Sequence, residues 1–137
     1  GGAFEQRFLH LGEPNGSRAL LELRLQPGGH WYLDTFIKSG QHQQTLLDAS
    51  KLHPVGVWHW VALRYDGARM AHFVDGSLEA EQDLALLPMP AGQTAVGVRM
   101  TRVSWFKGQL REVRFHDSVL PASALQRYAC RLQSAQH

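Results

Sequence analysis

The chain has 137 residues, 44% hydrophobic and 19% charged, which is the size and make-up of one globular domain and argues against a disordered segment. Lys and Arg outnumber Asp and Glu by only 14 to 12, and the basic residues form no run, so the charge leaves no footprint for nucleic acid. No apolar stretch approaches the roughly 20 residues that span a membrane, and a single cysteine, Cys130, rules out an internal disulfide.

The chain starts Gly1-Gly2-Ala3-Phe4, with neither Met nor the basic and apolar regions of a signal peptide. This reads as a trimmed N-terminus, from which a leader or an upstream domain would already be gone. Residues 1–137 are read as one domain. The first clear period-two pattern sets Ala19, Leu21, Leu23 and Leu25 against Leu20, Glu22, Arg24 and Gln26, a strand with one buried face. Pro27-Gly28-Gly29 breaks it. His30 to Ile37 is the next strand, with Trp31, Leu33, Thr35 and Ile37 on one side and Tyr32, Asp34 and Phe36 on the other. A polar turn follows over Ser39 to Gln44, and a short element starting at Leu46-Leu47 ends near Pro54.

Trp58 to Tyr65 and Arg69 to Val74 read as two strands joined by Asp66-Gly67, and a second Asp-Gly turn follows at Asp75-Gly76. Glycine accepts the positive φ that tight hairpin turns require. Leu78 to Leu86 is less regular, and Leu87 to Pro90 is a loop. Ala95 to Met100, Val103 to Phe106 and Leu110 to Phe115 read as short strands. Pro121 to Leu132 is the one helix, with Pro in its first turn and Leu125, Tyr128, Ala129 and Leu132 at helical spacing. Many short strands, regular turns and a terminal helix predict an all-β antiparallel sandwich.

Three segments carry a family resemblance. Gly56 to Gly67, with Trp58-His59-Trp60-Val61-Ala62 and Tyr65-Asp66-Gly67, resembles the W-H-H-V-A-x-x-Y-D-G segment of laminin G-like domains in the concanavalin A-like lectin/glucanase superfamily. Phe73-Val74-Asp75-Gly76 resembles the Y-V-D-G hairpin that follows it. Phe106 to Phe115 resembles the late F-x-G-x-I-D-E-V-R-I-Y strand, and Leu120 to Leu125 the tail after it. The resemblance covers Phe8 to Leu132. It implies a two-sheet jelly roll and secretion or surface display. It implies carbohydrate or protein binding, as in adhesion, more often than catalysis. Two departures stand out. Arg111 sits where the family usually has an acid, and the chain has almost nothing before Phe8, where the family has further strands. An edge left open there would invite a homodimer or an added strand from a protein partner.

Candidate ligand-binding residues follow from sugar chemistry. Sugars present apolar C–H faces to aromatic rings and hydroxyls to nearby polar groups. Trp31, Tyr32 and Trp105 are the candidate platforms, with His30 and Asp34 as polar partners. For the aromatic pairs Trp31-Tyr32 and Trp105-Phe106, burial of one member in the core is the competing reading. Eight histidines show no tight ligand spacing such as H-E-x-x-H, so no transition-metal site or cofactor is expected. Calcium would need a site stitched from separate loops, since no D-x-D-x-D-G run occurs. Glycoside hydrolysis needs two carboxylates about 5–5.5 or 6.5–9.5 Å apart. The run Glu79-Ala80-Glu81-Gln82-Asp83 differs in spacing from the superfamily's E-x-D-x-x-E and reads as a solvated edge. The expected protein is therefore not an enzyme but a carbohydrate-binding or adhesion module outside the cytoplasm. The alternative is an assembly domain working through a sheet edge.

Overall fold

The computed structural model describes residues 2–125 and shows two antiparallel sheets. In chain order the strands are β1 (Glu5–Gly12), β2 (Arg18–Gln26), β3 (His30–Ser39), β4 (His42–Leu47), β5 (His53–Pro54), β6 (Val61–Tyr65), β7 (Arg69–Val74), β8 (Ser77–Asp83) and β9 (Gln93–Val96). The larger sheet runs β4-β3-β2-β1-β9, with β5 also pairing with β3. The smaller sheet runs β6-β7-β8. Their inner faces pack together as a sandwich, the predicted fold class.

Alternation decides which side chains fill the space between the sheets. Leu21, Leu23, Trp31 and Leu33 from the large sheet meet Val74 from the small one, while Ala19, Ile37 and Leu46 meet Met70. Met70 is fully buried and Leu33 nearly so. The outer face of β7 is buried too. Ala71 and Phe73 pack against Leu125 in the helical turn at residues 122–125. This turn is the start of the predicted helix, the rest of which lies outside the described residues.

Both Asp-Gly hairpins form where the sequence places them. At Asp75-Gly76 the two turn residues have φ of 51° and 80°, the doubly left-handed turn that matches the twist of the flanking strands. Asp75 does more than turn the chain. Its Oδ1 accepts the Trp60 N–H at 2.9 Å, its Oδ2 lies 2.8 Å from His59 Nδ1, and its own N–H donates to the Trp60 carbonyl at 2.8 Å. These bonds clasp the chain entering β6 to the β7–β8 hairpin. At the other turn, Asp66 Oδ1 accepts from the N–H groups of Ala68 and Arg69.

Four expectations need correction. First, the N-terminus is not an open edge: β1 lies inside the large sheet, between β2 and β9. Its alternation is broken by a register shift between Arg7 and Leu9, so the adjacent Phe8 and Leu9 are both buried, and a period-two reading misses the strand. Second, Leu110 to Phe115 carries no strand, because none of the described residues pairs with it, and Leu110, Val113 and Phe115 are exposed. Third, Val103 to Phe106 is reduced to one parallel bridge, Trp105 with Arg7, while β9 stops at Val96 where the chain turns at Gly97. Fourth, the expected polar turn over Ser39 to Gln44 is shorter, since β4 already starts at His42.

Candidate functional site

The inner faces of the sheets are committed to packing, so the outer face of the large sheet is where polar side chains converge. On β2, Arg18, Leu20, Glu22 and Arg24 alternate with the leucines of the core and point outward. Register sets Glu22 between Arg7 on β1 and Asp34 on β3, and Leu20 between His10 and Phe36. The result is a pocket of about 220 Å³ lined by Arg7, Arg18, Glu22, Asp34, Phe36 and Arg99, among others.

Two of its acids are deeply buried and paired. Asp34 is 2% exposed and receives the Arg24 Nε–H at 2.8 Å; Arg24 also bonds to Glu5. Glu22 Oε2 lies 2.7 Å from Arg7 Nε, close but not aligned as a hydrogen bond. Burial lifts both carboxyls above the usual carboxylate range even though each faces an arginine. Arg18 Nη1 donates to the carbonyls of Asn15 and Gly16 and its guanidinium lies 4.9 Å over the Phe36 ring. Burial first, then the charges of Arg99 and Arg7, pull Arg18 below the usual guanidinium range.

His10 ties the neighbouring turn to this sheet. It is fully buried, accepts the Met100 N–H at its Nδ1 (3.1 Å) and so donates from Nε2 to the Glu13 carbonyl (2.9 Å). Burial, ahead of nearby arginines, keeps it below the usual imidazole value, in keeping with a neutral ring. Beyond it, Arg102 and Ser104 hold left-handed φ of 61° and 56°, strained for side chains that carry a Cβ. Ser104 Oγ accepts from Arg7 Nη1, and Arg7 N–H donates to the Ser104 carbonyl.

The five residues singled out from the sequence fall in three places. His30, Tyr32 and Asp34 share the outer face of β3; His30 is exposed, while Tyr32 is 8% exposed and Asp34 buried in the pocket. Trp31 points the other way into the core, with its ring 4.9 Å from His53 and 5.2 Å from His59. Trp105 is 62% exposed on the turn that carries Ser104, beside Arg7. The arginines that build the pocket were not singled out from the sequence. Arg24 stood in the polar half of the β2 alternation and Arg18 lies one step before it, at the start of the strand, but Arg7 and Arg99 reach the pocket only through the β1 irregularity and the turn after β9.

Elsewhere, an apolar cleft of about 820 Å³ opens between the sheets beside Trp58, Val61 and Phe106. The acidic run on β8 is occupied: Glu79 bonds to His53, and Glu81 and Asp83 pair with Arg69. Among the described residues no group of three or more His, Cys, Asp or Glu is placed to hold a metal ion. Nor is any described helix long and apolar enough to cross a membrane.

Comparison with known proteins agrees with this architecture. No curated protein sequence matches the chain. Among solved structures, residues 221–444 of an S-layer domain-containing protein from Clostridium thermocellum superpose with a TM-score of 0.51 at 21% identity, covering 91% of this chain. The chain spans 63% of that structure's length, and the likeness is one of fold. Residues 3–126 match the family model of laminin G type, and the chain therefore belongs to the concanavalin A-like lectin/glucanases superfamily.

Proposed function

We propose that this domain is a non-catalytic carbohydrate-binding or adhesion module of an extracytoplasmic protein, with its ligand on the outer face of the large sheet. The observation that carries the reading is the polar pocket beside Asp34, with Trp105 presented on an adjoining strained turn. Trp105 supplies an aromatic face for sugar C–H groups. His30 at the start of β3 and Asp34 within the pocket supply polar contacts. Trp31 in the core behind them and Tyr32 beside them on the same face, both largely buried, hold β3 in place. Membership of a superfamily named for lectins and the likeness to an S-layer protein's fold support a binding role at a cell surface. A glycan array probed with the purified domain, with calcium and with chelator, tests this. Selective binding that Trp105→Ala removes is the expected result, and the chelator arm shows whether calcium contributes. A blank array from folded protein refutes it.

A second reading has its own observation. In the small sheet, β6 pairs only with β7 among the described residues, which leaves its far edge without a strand there, and Val55, Val57, Val113 and Phe115 expose apolar side chains along the same cleft. This edge, rather than the N-terminus, is where an added strand from a protein partner or a second copy would pair. Light scattering tests it: a mass that stays monomeric up to high concentration, with no partner captured, rules against assembly.

A further inference from the structure

We infer that the pocket on the outer face of the large sheet is an oxyanion site, in which Arg18 and Arg99 clamp a carboxylate or sulfate carried on a saccharide. The inference rests on the carbohydrate-binding reading and narrows it to acidic sugars.

The charge balance of the pocket carries the argument. Four arginines, Arg7, Arg18, Arg24 and Arg99, line it with two acids, Glu22 and Asp34. Both acids are engaged, Glu22 by Arg7 and Asp34 by Arg24. Arg18 and Arg99 feel one another's charge, and neither forms an ion pair among the described residues, although Glu22 offsets part of the repulsion at Arg18. The Nε of each is buried and has no hydrogen-bond partner among the described residues. A buried N–H without an acceptor costs free energy, and a charged one costs more. The Nε atoms are themselves closed to solvent, so an oxyanion between the two guanidinium groups would accept from their outer nitrogens and offset their mutual repulsion.

The surroundings select a sugar rather than a bare ion. Phe36 and Leu20 give the pocket an apolar floor against which C–H groups can pack, and Thr45 offers a hydroxyl at an exposed position. The cavity, about 220 Å³, is larger than a small inorganic ion fills. The two arginines come from different elements, Arg18 from the start of β2 and Arg99 from the turn after β9. That turn is held by Arg102 N–H donating to the Arg99 carbonyl at 2.8 Å and by Met100 N–H on His10. The clamp is thus anchored on both sides before any ligand arrives.

The test compares three probes by calorimetry: oligogalacturonate, its fully methyl-esterified form, and a sulfated galactan oligomer. An acidic probe is expected to bind at least about tenfold more tightly than the ester, since charge-assisted bonds are at stake, and to weaken as salt rises. The carboxylate and sulfate arms tell which oxyanion is preferred. Arg18→Gln and Arg99→Gln should each lower acidic-probe affinity about tenfold or more. The melting temperature of Arg99→Gln should hold or rise, because one of two repelling charges is gone, whereas Arg18→Gln also loses the bonds to the Asn15 and Gly16 carbonyls and the contact with Phe36, so its affinity is compared at a temperature where it is fully folded. Lys51→Gln, on an exposed loop, controls for general charge. Equal affinity for acid and ester, or full acid affinity in both arginine variants, overturns the inference while leaving the carbohydrate reading intact. Silence from all three probes together with a blank glycan array overturns both. If one arginine variant fails to fold the other decides, and if both fail the acid-against-ester comparison on the unaltered domain does.

Discussion

His72 should make the domain acid-sensitive, with a sign and size that the structure fixes. Its imidazole sits on the inner face of β7, 1% exposed, with Nδ1 2.8 Å from Thr35 Oγ1 across the sandwich. Burial pushes its pKa from 6.5 down to about 4. Above pH 6.5 both the folded and the unfolded chain hold it neutral, and His72 contributes no pH dependence. Between 6.5 and about 4 the unfolded chain takes up the proton and the folded chain refuses it, so stability falls as pH falls. At about 1.4 kcal/mol per pKa unit the full loss is on the order of 3 kcal/mol, levelling off below pH 4. Other groups titrate nearby, with different signs. His10 acts in the same direction as His72. Glu22 and Asp34, raised by burial, stabilise at low pH and lose that contribution as pH rises through their folded values. For His59 burial alone would lower the pKa, but the Asp75 hydrogen bond and charge outweigh it and raise it. Its contribution is therefore complete below 6.5 and fades only above. Comparing unaltered protein with His72→Gln, which keeps an amide near Thr35, removes these common terms. Urea midpoints measured from about pH 7.5 to about pH 4.5 should diverge in pH slope between the two proteins, by most of that 3 kcal/mol. Parallel curves across this range would show that His72 is not held neutral and would refute the reasoning.

Three further outcomes follow from burial and backbone geometry. Trp105→Ala should leave stability within about 0.5 kcal/mol, as for most surface changes, while abolishing glycan binding; urea denaturation and the array read the two separately. Tyr32→Ala, at a site 8% exposed, should instead cost about 3 kcal/mol in urea denaturation, so any loss of ligand in that variant reports on the fold. Gly12→Ala should be strongly destabilising, by about 1–3 kcal/mol or more for the strained backbone alone. Gly12 has φ of 105°, and an added Cβ would meet the Ser17 carbonyl oxygen at 2.4 Å; a melting temperature equal to that of the unaltered domain would count against it.

The parts of the fold that were legible in the sequence are those where one local rule acts alone. The alternation of β2 and β3 survives intact because nine consecutive residue pairs stay in register, so their inner leucines and outer charges sort as period two demands. The Asp66 and Asp75 turns were legible because glycine and aspartate make them locally. The family segment around Trp58 also resolves into mechanics: His59, Trp60 and Asp75 form a hydrogen-bonded clasp, and Val61 and Leu63 pack on the core. What stayed hidden depends on more than one element. β1 carries a bulge that hides its period. Leu110 to Phe115 has the composition of a strand but no neighbour to pair with among the described residues. The pocket arginines come from three separate elements, so no spacing in the sequence unites them. Asp34 was legible as polar on the right face, yet its role inside an ion-paired pocket needed Arg24 and Glu22 beside it.

These observations divide the molecule's work between two surfaces. Inside the sandwich, polar groups are few and answered, as Thr35 answers His72. On the outer face of the large sheet the balance is reversed: Glu22, Asp34, His10 and the arginines are held in or beside the sheet, and Arg18 and Arg99 form no ion pair among the described residues. A sheet whose outer face only needed to be soluble would meet that need with exposed charges in water, at little cost. Half-burying two repelling arginines beside a turn with two strained non-glycine residues costs stability. Such local cost is characteristic of sites shaped for a ligand. The prediction that relieving the repulsion at Arg99 leaves the domain at least as stable while weakening acidic-sugar binding is therefore the sharpest separation of the two surfaces. A core residue such as Met70, fully buried, would show the opposite pairing, with stability lost and no selective effect on the sugar's charge.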